Sequence, residues 1–161
     1  MTRAITESDV ITVRIGEMAV AGGDTVLKTL LGSCIGIALY DTRRSIGGLA
    51  HVVLPDSSGH RGPAGKFVDT AIPELIRQIE QQGGMRRSLR AKLAGGANMF
   101  MTVSTATIGD QNLAAVQRAL ANQTIAVAAA HCGGCQGRRM IFSPATGRVR
   151  IEVVGSESVE I

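Results

Sequence analysis

The sequence predicts a single-domain α/β protein that is built from strands, β-hairpins and two main helices. Its 161 residues are enough for one domain with a sizeable core, and 45% hydrophobic with 19% charged content is typical of a globular chain. Strand-length apolar runs and two amphipathic segments of helical period follow one another without an internal repeat or linker. We therefore expect one domain over residues 1–161, with frayed tails at 1–9 and 155–161.

Charge and composition disfavour two classes of protein. The net charge of +4 is spread along the chain, and aromatic residues make up only 2%, so there is little for nucleic-acid bases to stack on. No stretch reaches the roughly 18 apolar residues of a membrane span, and the first ten residues do not resemble a signal peptide. Three cysteines argue against a disulfide framework. We expect a cytoplasmic monomer that binds no nucleic acid and is not inserted in a membrane.

The most informative stretch is Thr29–Pro55, TLLGSCIGIALYDTRRSIGGLAHVVLP. The runs CIGIALY and SIGGLAHVVL have strand length, and the polar DTRR between them predicts the reversal of a β-hairpin covered on both faces. A reversal centred between Thr42 and Arg43 sets Cys34 directly across from His51, where Cβ atoms lie roughly 4.5–5.5 Å apart. A thiol and an imidazole at that spacing can act as nucleophile and base. We expect Cys34 to be the one cysteine with a depressed pKa.

Two glycine-containing loops are candidates for binding a developing oxyanion. Gly32 and Ser33 precede Cys34, and backbone N–H groups there can face a negative charge. Gly95 and Gly96, with Asn98, form a second candidate loop, although a plain turn is the commoner meaning of this pattern. A structural role for Cys34 as a small buried residue stays open, since free cysteines are mostly buried.

The rest of the chain divides into strands and helices. ITVRIGEMAV, DTVLKTLL, LRAKLA and IAVAAAH read as strands, the last buried on both faces, and RRMIFSPATGRVRIEVV reads as a closing hairpin. One helix is expected from near Thr70 to Gly83. A second has Asp110 as its N-cap. Its expected buried stripe consists of Leu113, Ala114, Val116 and Leu120.

The segment HCGGCQG allows three interpretations. A C-x-x-C pair can be a redox dithiol or half of a zinc site. Here it leaves a strand rather than opening a helix, and it lacks a second closely spaced pair. Zinc held by His131, Cys132, Cys135 and one distant ligand stays an alternative to a glycine turn with two incidental thiols.

Several segments together carry a family resemblance. LGSCIGIALYD, GGLAHVVLP, KFVDTAI, KLAGGANMF, IGDQN and GGCQGRR resemble, in the same order, the chemoreceptor glutamine deamidase CheD family. The resemblance covers roughly Val10 to Val154, and LGSC followed by AHVVLP is its specific part. One departure is Cys135, where the family commonly has Asn.

The resemblance implies a layered α/β/β sandwich and a cysteine-dependent deamidase without metal or cofactor. It makes Cys34 the nucleophile, His51 its base and Thr29 the residue that orients the histidine. It implies conversion of glutamine to glutamate, or hydrolysis of a glutamyl methyl ester, on the cytoplasmic domain of methyl-accepting chemotaxis receptors. A CheC-type phosphatase is an implied partner. The alternative is a non-catalytic docking module that regulates receptors or such a phosphatase.

Overall fold

The structure is a computed structural model that describes residues 9–100 and 107–161. Within these residues the chain forms ten strands, two α-helices and two short 3-10 helices. The strands are β1 (Val10–Thr12), β2 (Met18–Gly22), β3 (Val26–Leu31), β4 (Ile35–Asp41), β5 (Ile46–Val52), β6 (Arg90–Gly95), β7 (Ala126–Cys132), β8 (Arg138–Ser143), β9 (Arg148–Glu152) and β10 (Val159–Glu160). The α-helices are α1 (Val68–Gln81) and α2 (Ile108–Asn122), and the 3-10 helices are Ala64–Lys66 and Arg86–Ser88.

The strands form two mixed sheets of five strands each. The first sheet has the order β1-β3-β8-β9-β10, and the second has the order β2-β5-β4-β6-β7. One pair in each sheet is parallel, β1 with β3 and β6 with β7. Both helices pack on the outer face of the second sheet, and the first sheet covers its inner face. This arrangement confirms the layered α/β/β sandwich with two main helices.

Strand β4 shows how alternation divides the core between the layers. Ile35, Ile37 and Leu39 join the core under the helices, whereas Ala38 and Tyr40 face the first sheet. Because successive side chains of a strand point to opposite faces, a strand between two layers must be apolar throughout. The predicted hairpin of β4 and β5 is confirmed, and its strands are buried on both faces.

The stretch ITVRIGEMAV is not one strand, as predicted, but two strands in different sheets. β1 pairs with β3 in the first sheet, and β2 pairs with β5 in the second. Gly16 turns the chain between them with a φ of +76°, which a side chain would strain. Gly65 packs against this turn, since a Cβ there would lie 2.5 Å from the Gly16 carbonyl oxygen. Apolar and polar residues alternate through the turn as they do in the strands, so the sequence pattern does not indicate the turn.

Two further predictions are wrong, one about β7 and one about the segment 155–161. β7 is an edge strand with mostly exposed residues rather than a strand buried on both faces. Its alanine-rich sequence looks buried, but β7 lies at the end of the second sheet, next to β6, and most of its residues are exposed. The segment 155–161 is not frayed, since β10 pairs with β9 and Ile161 exchanges hydrogen bonds with Val149. The predicted N-terminal tail, residues 1–9, lies mostly outside the described residues.

Both helices begin earlier than predicted. α1 starts at Val68, two residues before Thr70. The N-cap of α2 is Thr107 rather than Asp110, which instead lies at the third helical position. The Thr107 hydroxyl accepts from the Asp110 N–H at 3.2 Å, and the Asp110 carboxylate accepts from the Thr107 N–H at 3.3 Å. This reciprocal capping box fixes the start of α2.

Replacing the cap should weaken α2 in a defined way. Thr107→Ala removes the acceptor for the Asp110 N–H and should lower the free energy of unfolding by about 1 kcal/mol. Thr107→Ser keeps a hydroxyl and should stay close to the wild type. Urea titrations followed by circular dichroism measure both variants, and equal stability of Thr107→Ala and Thr107→Ser would contradict the assigned cap.

Candidate active site

The hairpin places Cys34 and His51 on the same face but not directly opposite. His51 pairs with Gly36, and Asp41 pairs with Ile46, so the connection is four residues long and centred one position later than predicted. The predicted register is therefore wrong by two residues. Because the side-chain period is two, this shift keeps both side chains on the inner face. Cys34, just before β4, is diagonal to His51, a relation in which the two residues lie about 7–8 Å apart and their Cβ atoms are somewhat closer.

The position directly across from His51 has no room for a side chain. A Cβ on Gly36 would lie 2.6 Å from Met140 Sδ and 3.0 Å from Leu31 Cδ1. Met140 and Leu31 belong to the first sheet, which packs closely on the hairpin here. This glycine allows the two sheets to approach each other next to the histidine.

His51 is held between the sheets by a hydrogen bond to Thr29. The imidazole is 2% exposed, and its Nδ1 lies 2.7 Å from Thr29 Oγ1. Thr29 is also 2% exposed and points inward from β3, the strand of the first sheet that passes over β5. The hydroxyl donates to the Val13 carbonyl oxygen at 2.6 Å.

These contacts determine the tautomer of His51. A carbonyl oxygen only accepts hydrogen bonds, so the one hydroxyl hydrogen of Thr29 goes to Val13. The Thr29 oxygen must then accept a hydrogen bond from Nδ1–H of His51. The lone pair of the neutral ring is consequently on Nε2. Within the described part of the chain, this buried Nε2 has no hydrogen-bond partner.

Cys34 is half-buried and packs against the core between the two sheets. Burial raises the pKa of its thiol above the ordinary value of 9.0, because desolvation disfavours the thiolate. Burial likewise lowers the pKa of His51 below 6.5, because it disfavours the imidazolium. The prediction of a depressed pKa for Cys34 is therefore wrong. At neutral pH the site contains a neutral thiol and a neutral imidazole.

The loop before Cys34 is attached to the loop that follows β6. The Cys34 carbonyl accepts from the Gly96 N–H at 2.9 Å, and the Gly32 carbonyl accepts from the Ala97 N–H at 3.0 Å. Gly95 must lack a side chain, since its φ is +105° and a Cβ would overlap the Cys34 carbonyl oxygen. The loop predicted as a second source of oxyanion donors thus uses one of its amides to hold Cys34.

The backbone N–H groups of Ser33 and Cys34 differ from the carbonyl groups of this loop. Within residues 9–100 and 107–161, no backbone carbonyl outside the strand ladders accepts a hydrogen bond from the N–H of Ser33 or Cys34. An apolar groove of about 600 Å³ borders Gly32 and is lined in part by Leu30, Met99 and Val154. The Gly32–Cys34 loop is therefore open to solvent on its Gly32 side.

Asn112 is a polar residue of the site that the sequence prediction missed. It lies on α2 with 0% exposure, and its Nδ2 donates to the Val53 carbonyl at 2.9 Å and the Ser33 carbonyl at 3.3 Å. The signal in the sequence was a polar residue four and eight positions before Val116 and Leu120, and therefore on the same face of the helix as these two stripe residues. Leu113 and Ala114, which were predicted as part of the stripe, are only partly buried.

The HCGGCQG segment is organised by an arginine. The guanidinium of Arg138, which is 5% exposed, lies 2.9 Å from His131 Nδ1 and donates to the carbonyls of His131, Gly133 and Gln136. A cation bonded to His131 disfavours a metal at that ring nitrogen. Among the described residues, no group of three or more histidine, cysteine or acidic side chains could hold a metal ion. The segment is a glycine turn next to the Cys34 loop, which it meets through the 95–98 segment.

Fold and site together define a layered α/β/β protein in which a Thr–His pair lies between two sheets beside a half-buried cysteine. Neither α-helix in the described residues is long and apolar enough to cross a membrane. Residues 53–153 match the family described as CheD chemotactic sensory transduction.

Curated relatives agree with this match over most of the chain. A protein of Clostridium kluyveri named "Probable chemoreceptor glutamine deamidase CheD" is 44% identical over 94% of this chain and 97% of its own length. A protein of Desulforamulus reducens with the same name is 43% identical over 91% of this chain and 92% of its own. This chain belongs to the CheD family, which confirms the resemblance found in the sequence.

The raised pKa of Cys34 can be measured by alkylation. Since the thiolate is the reactive form, the rate of Cys34 labelling by iodoacetamide should inflect above pH 9.0 in the folded protein. Peptide-resolved mass spectrometry separates Cys34 from the exposed Cys135. The urea-unfolded chain is the control and should inflect at a lower pH. An inflection near neutral pH in the folded protein would contradict the buried, neutral thiol.

Proposed function

We propose that this chain deamidates glutamine side chains of chemoreceptors, with Cys34 as the nucleophile, His51 as the general base and Thr29 as the residue that orients His51. The observation that carries the proposal is the Thr29–His51 hydrogen bond. It leaves the Nε2 lone pair available on the face that Cys34 shares. The names of the CheD relatives supply the substrate class.

The chemistry follows from the neutral state of both groups. As the Cys34 sulfur adds to the amide carbon of a glutamine, its proton passes to His51 Nε2. The imidazolium then protonates the leaving nitrogen, ammonia departs and a thioester remains. His51 takes a proton from water, the hydroxide cleaves the thioester, and glutamate and the free thiol are released. The same steps would hydrolyse a glutamyl methyl ester with methanol as the leaving group.

The tetrahedral intermediate needs hydrogen-bond donors for its oxyanion. We assign them to the Gly32–Cys34 loop, with Gly32 providing the open approach and Ser33 an N–H group. The support for this assignment is that the loop is anchored through its carbonyl groups. Donors that are held in place before the reaction stabilise the oxyanion without further reorganisation.

The proposal extends to partners and location. We propose that the chain acts in the cytoplasm, as a monomer and without a metal, on the cytoplasmic domain of methyl-accepting receptors. A CheC-type phosphatase is the proposed regulatory partner. Thiol and imidazole suffice for acyl transfer, so EDTA should leave the deamidation rate unchanged.

Deamidation of a purified receptor cytoplasmic fragment tests the roles of Cys34 and His51. Cys34→Ser should lower the rate at least ~10³-fold. His51→Gln should lower it ~10²–10⁴-fold, because the base is lost. Cys135→Ser and His60→Gln are matched controls in exposed loops and should retain activity. Ammonia release and peptide mass spectrometry provide the readout, and a Cys34→Ser variant that still releases ammonia would show that Cys34 is not the nucleophile.

Thr29 has its own matched pair of variants. Thr29→Val removes the acceptor for Nδ1–H, so the imidazole loses its orientation and kcat should fall on the order of 10²-fold. Thr29→Ser keeps the hydroxyl and should stay within a few-fold of wild type. If the two variants have the same kcat, the hydrogen bond does not matter for the reaction.

The pH dependence follows from the lowered pKa of His51. Only neutral His51 accepts a proton, so kcat/KM should be maintained below pH 6.5 and fall only as the pH drops through the lowered pKa. The same shift contributes stability that is present above pH 6.5 and lost as the pH falls. A pH–rate profile from about pH 5 to 8 measures this limb, and a midpoint above 6.5 would contradict the assignment.

A further inference from the structure

Asn112 connects the two segments that carry Cys34 and His51. Its Nδ2 donates to the carbonyl of Ser33, directly before Cys34, and to the carbonyl of Val53, two residues after His51. Carbonyl oxygens only accept, so the amino group of the amide must face both of them. A primary amide has two N–H donors, and this contact uses both.

The contact with Ser33 also orients the next amide. The Ser33 carbonyl and the Cys34 N–H belong to one planar trans peptide unit and therefore point in opposite directions. Asn112 lies on α2, on the outer side of the second sheet, and draws the Ser33 oxygen toward that side. The Cys34 N–H is consequently directed away from α2. In the described residues, no backbone carbonyl outside the strand ladders accepts from it.

Only the amino group of the Asn112 amide is paired within the described residues. The residue is fully buried, and its Oδ1 has no hydrogen-bond partner within the described part of the chain. An apolar residue at this place on the helix would avoid the cost of that unpaired oxygen, but it would also leave the carbonyls of Ser33 and Val53 without this donor. The contacts with these two segments, rather than packing within the helix, therefore account for the amide.

We propose that Asn112 is a positioning residue that holds the Ser33–Cys34 peptide so that the Cys34 N–H donates to the oxyanion of the tetrahedral intermediate. The inference rests on the proposed deamidase activity and extends it to the residue that aligns this donor. Asn112 touches neither the substrate nor the thiol. It acts through the peptide plane, and its second hydrogen bond keeps the end of β5 in register with the loop.

Two reactions of Cys34 separate this role from general support of the fold. Deamidation passes through an oxyanion, whereas alkylation by iodoacetamide is a displacement at a saturated carbon and forms none. A misplaced donor should therefore impair deamidation alone. A misplaced or unfolded Cys34 should change both reactions.

The experiment measures both reactions on Asn112→Ala, Asn112→Ser and Val116→Ala in the full chain. Asn112→Ala should lower kcat for the receptor fragment ~10²–10³-fold, with KM and the Cys34 alkylation rate within ~3-fold of wild type. Asn112→Ser keeps one donor and should show a smaller loss in kcat. Val116, buried to 0% one turn further along α2, is the matched control, and its variant should keep both rates.

The outcomes distinguish the inference from the function on which it rests. A loss of deamidation accompanied by a change of more than ~3-fold in the Cys34 alkylation rate, in either direction and in both Asn112 variants, would overturn the role of Asn112 and leave the deamidase assignment intact, as would an unchanged kcat. If Asn112→Ala does not fold, Asn112→Ser decides by the same comparison. A wild-type protein that alkylates at Cys34 but releases no ammonia from the receptor fragment would overturn the proposed function and this inference with it.

Discussion

The hydrogen bond between Thr29 and His51 joins the two sheets of this protein at the place where its chemistry is proposed to occur. Thr29 belongs to β3 of the first sheet, and His51 belongs to β5 of the second. The Val13 carbonyl completes the chain of contacts and sets the direction of the hydroxyl hydrogen. Neither sheet alone contains this arrangement. The position of His51, the proposed base, therefore depends on the close packing of the sheets, and Gly36 permits this packing by leaving room for Met140.

Burial between the sheets shifts the pKa values of the two proposed catalytic groups in opposite directions. It keeps His51 neutral and thus able to accept a proton, but it also keeps Cys34 protonated. In the proposed mechanism, the attack of Cys34 on the substrate therefore requires proton transfer to His51. The neutral thiol is less prone to oxidation and alkylation than a thiolate would be, since both reactions follow thiolate character.

The site is held from both sides of the second sheet. On the inner side Thr29 orients His51, and on the outer side Asn112 holds the carbonyl groups of Ser33 and Val53. Between them the loop after β6 supplies the Gly96 N–H to the Cys34 carbonyl. The three-layer architecture thus has a direct chemical consequence, because each layer contributes one constraint on the segments that carry the thiol and the imidazole.

The sequence by itself determined what local pattern can report. Alternation and turn residues predicted the hairpin and the shared face of Cys34 and His51. Ordered motifs predicted the family and pointed to Thr29. The tertiary structure decided the rest, because alternation shows which face a side chain occupies but not which residue lies opposite. The four-residue turn shifted the pairing of the hairpin, so that Gly36 rather than Cys34 lies opposite His51. The tertiary structure also reversed the expected direction of the Cys34 pKa shift, since this direction depends on burial by segments that are distant in the sequence. Asn112 could not be recognised from its own helix, because both carbonyls that it binds lie at least 59 residues away along the chain.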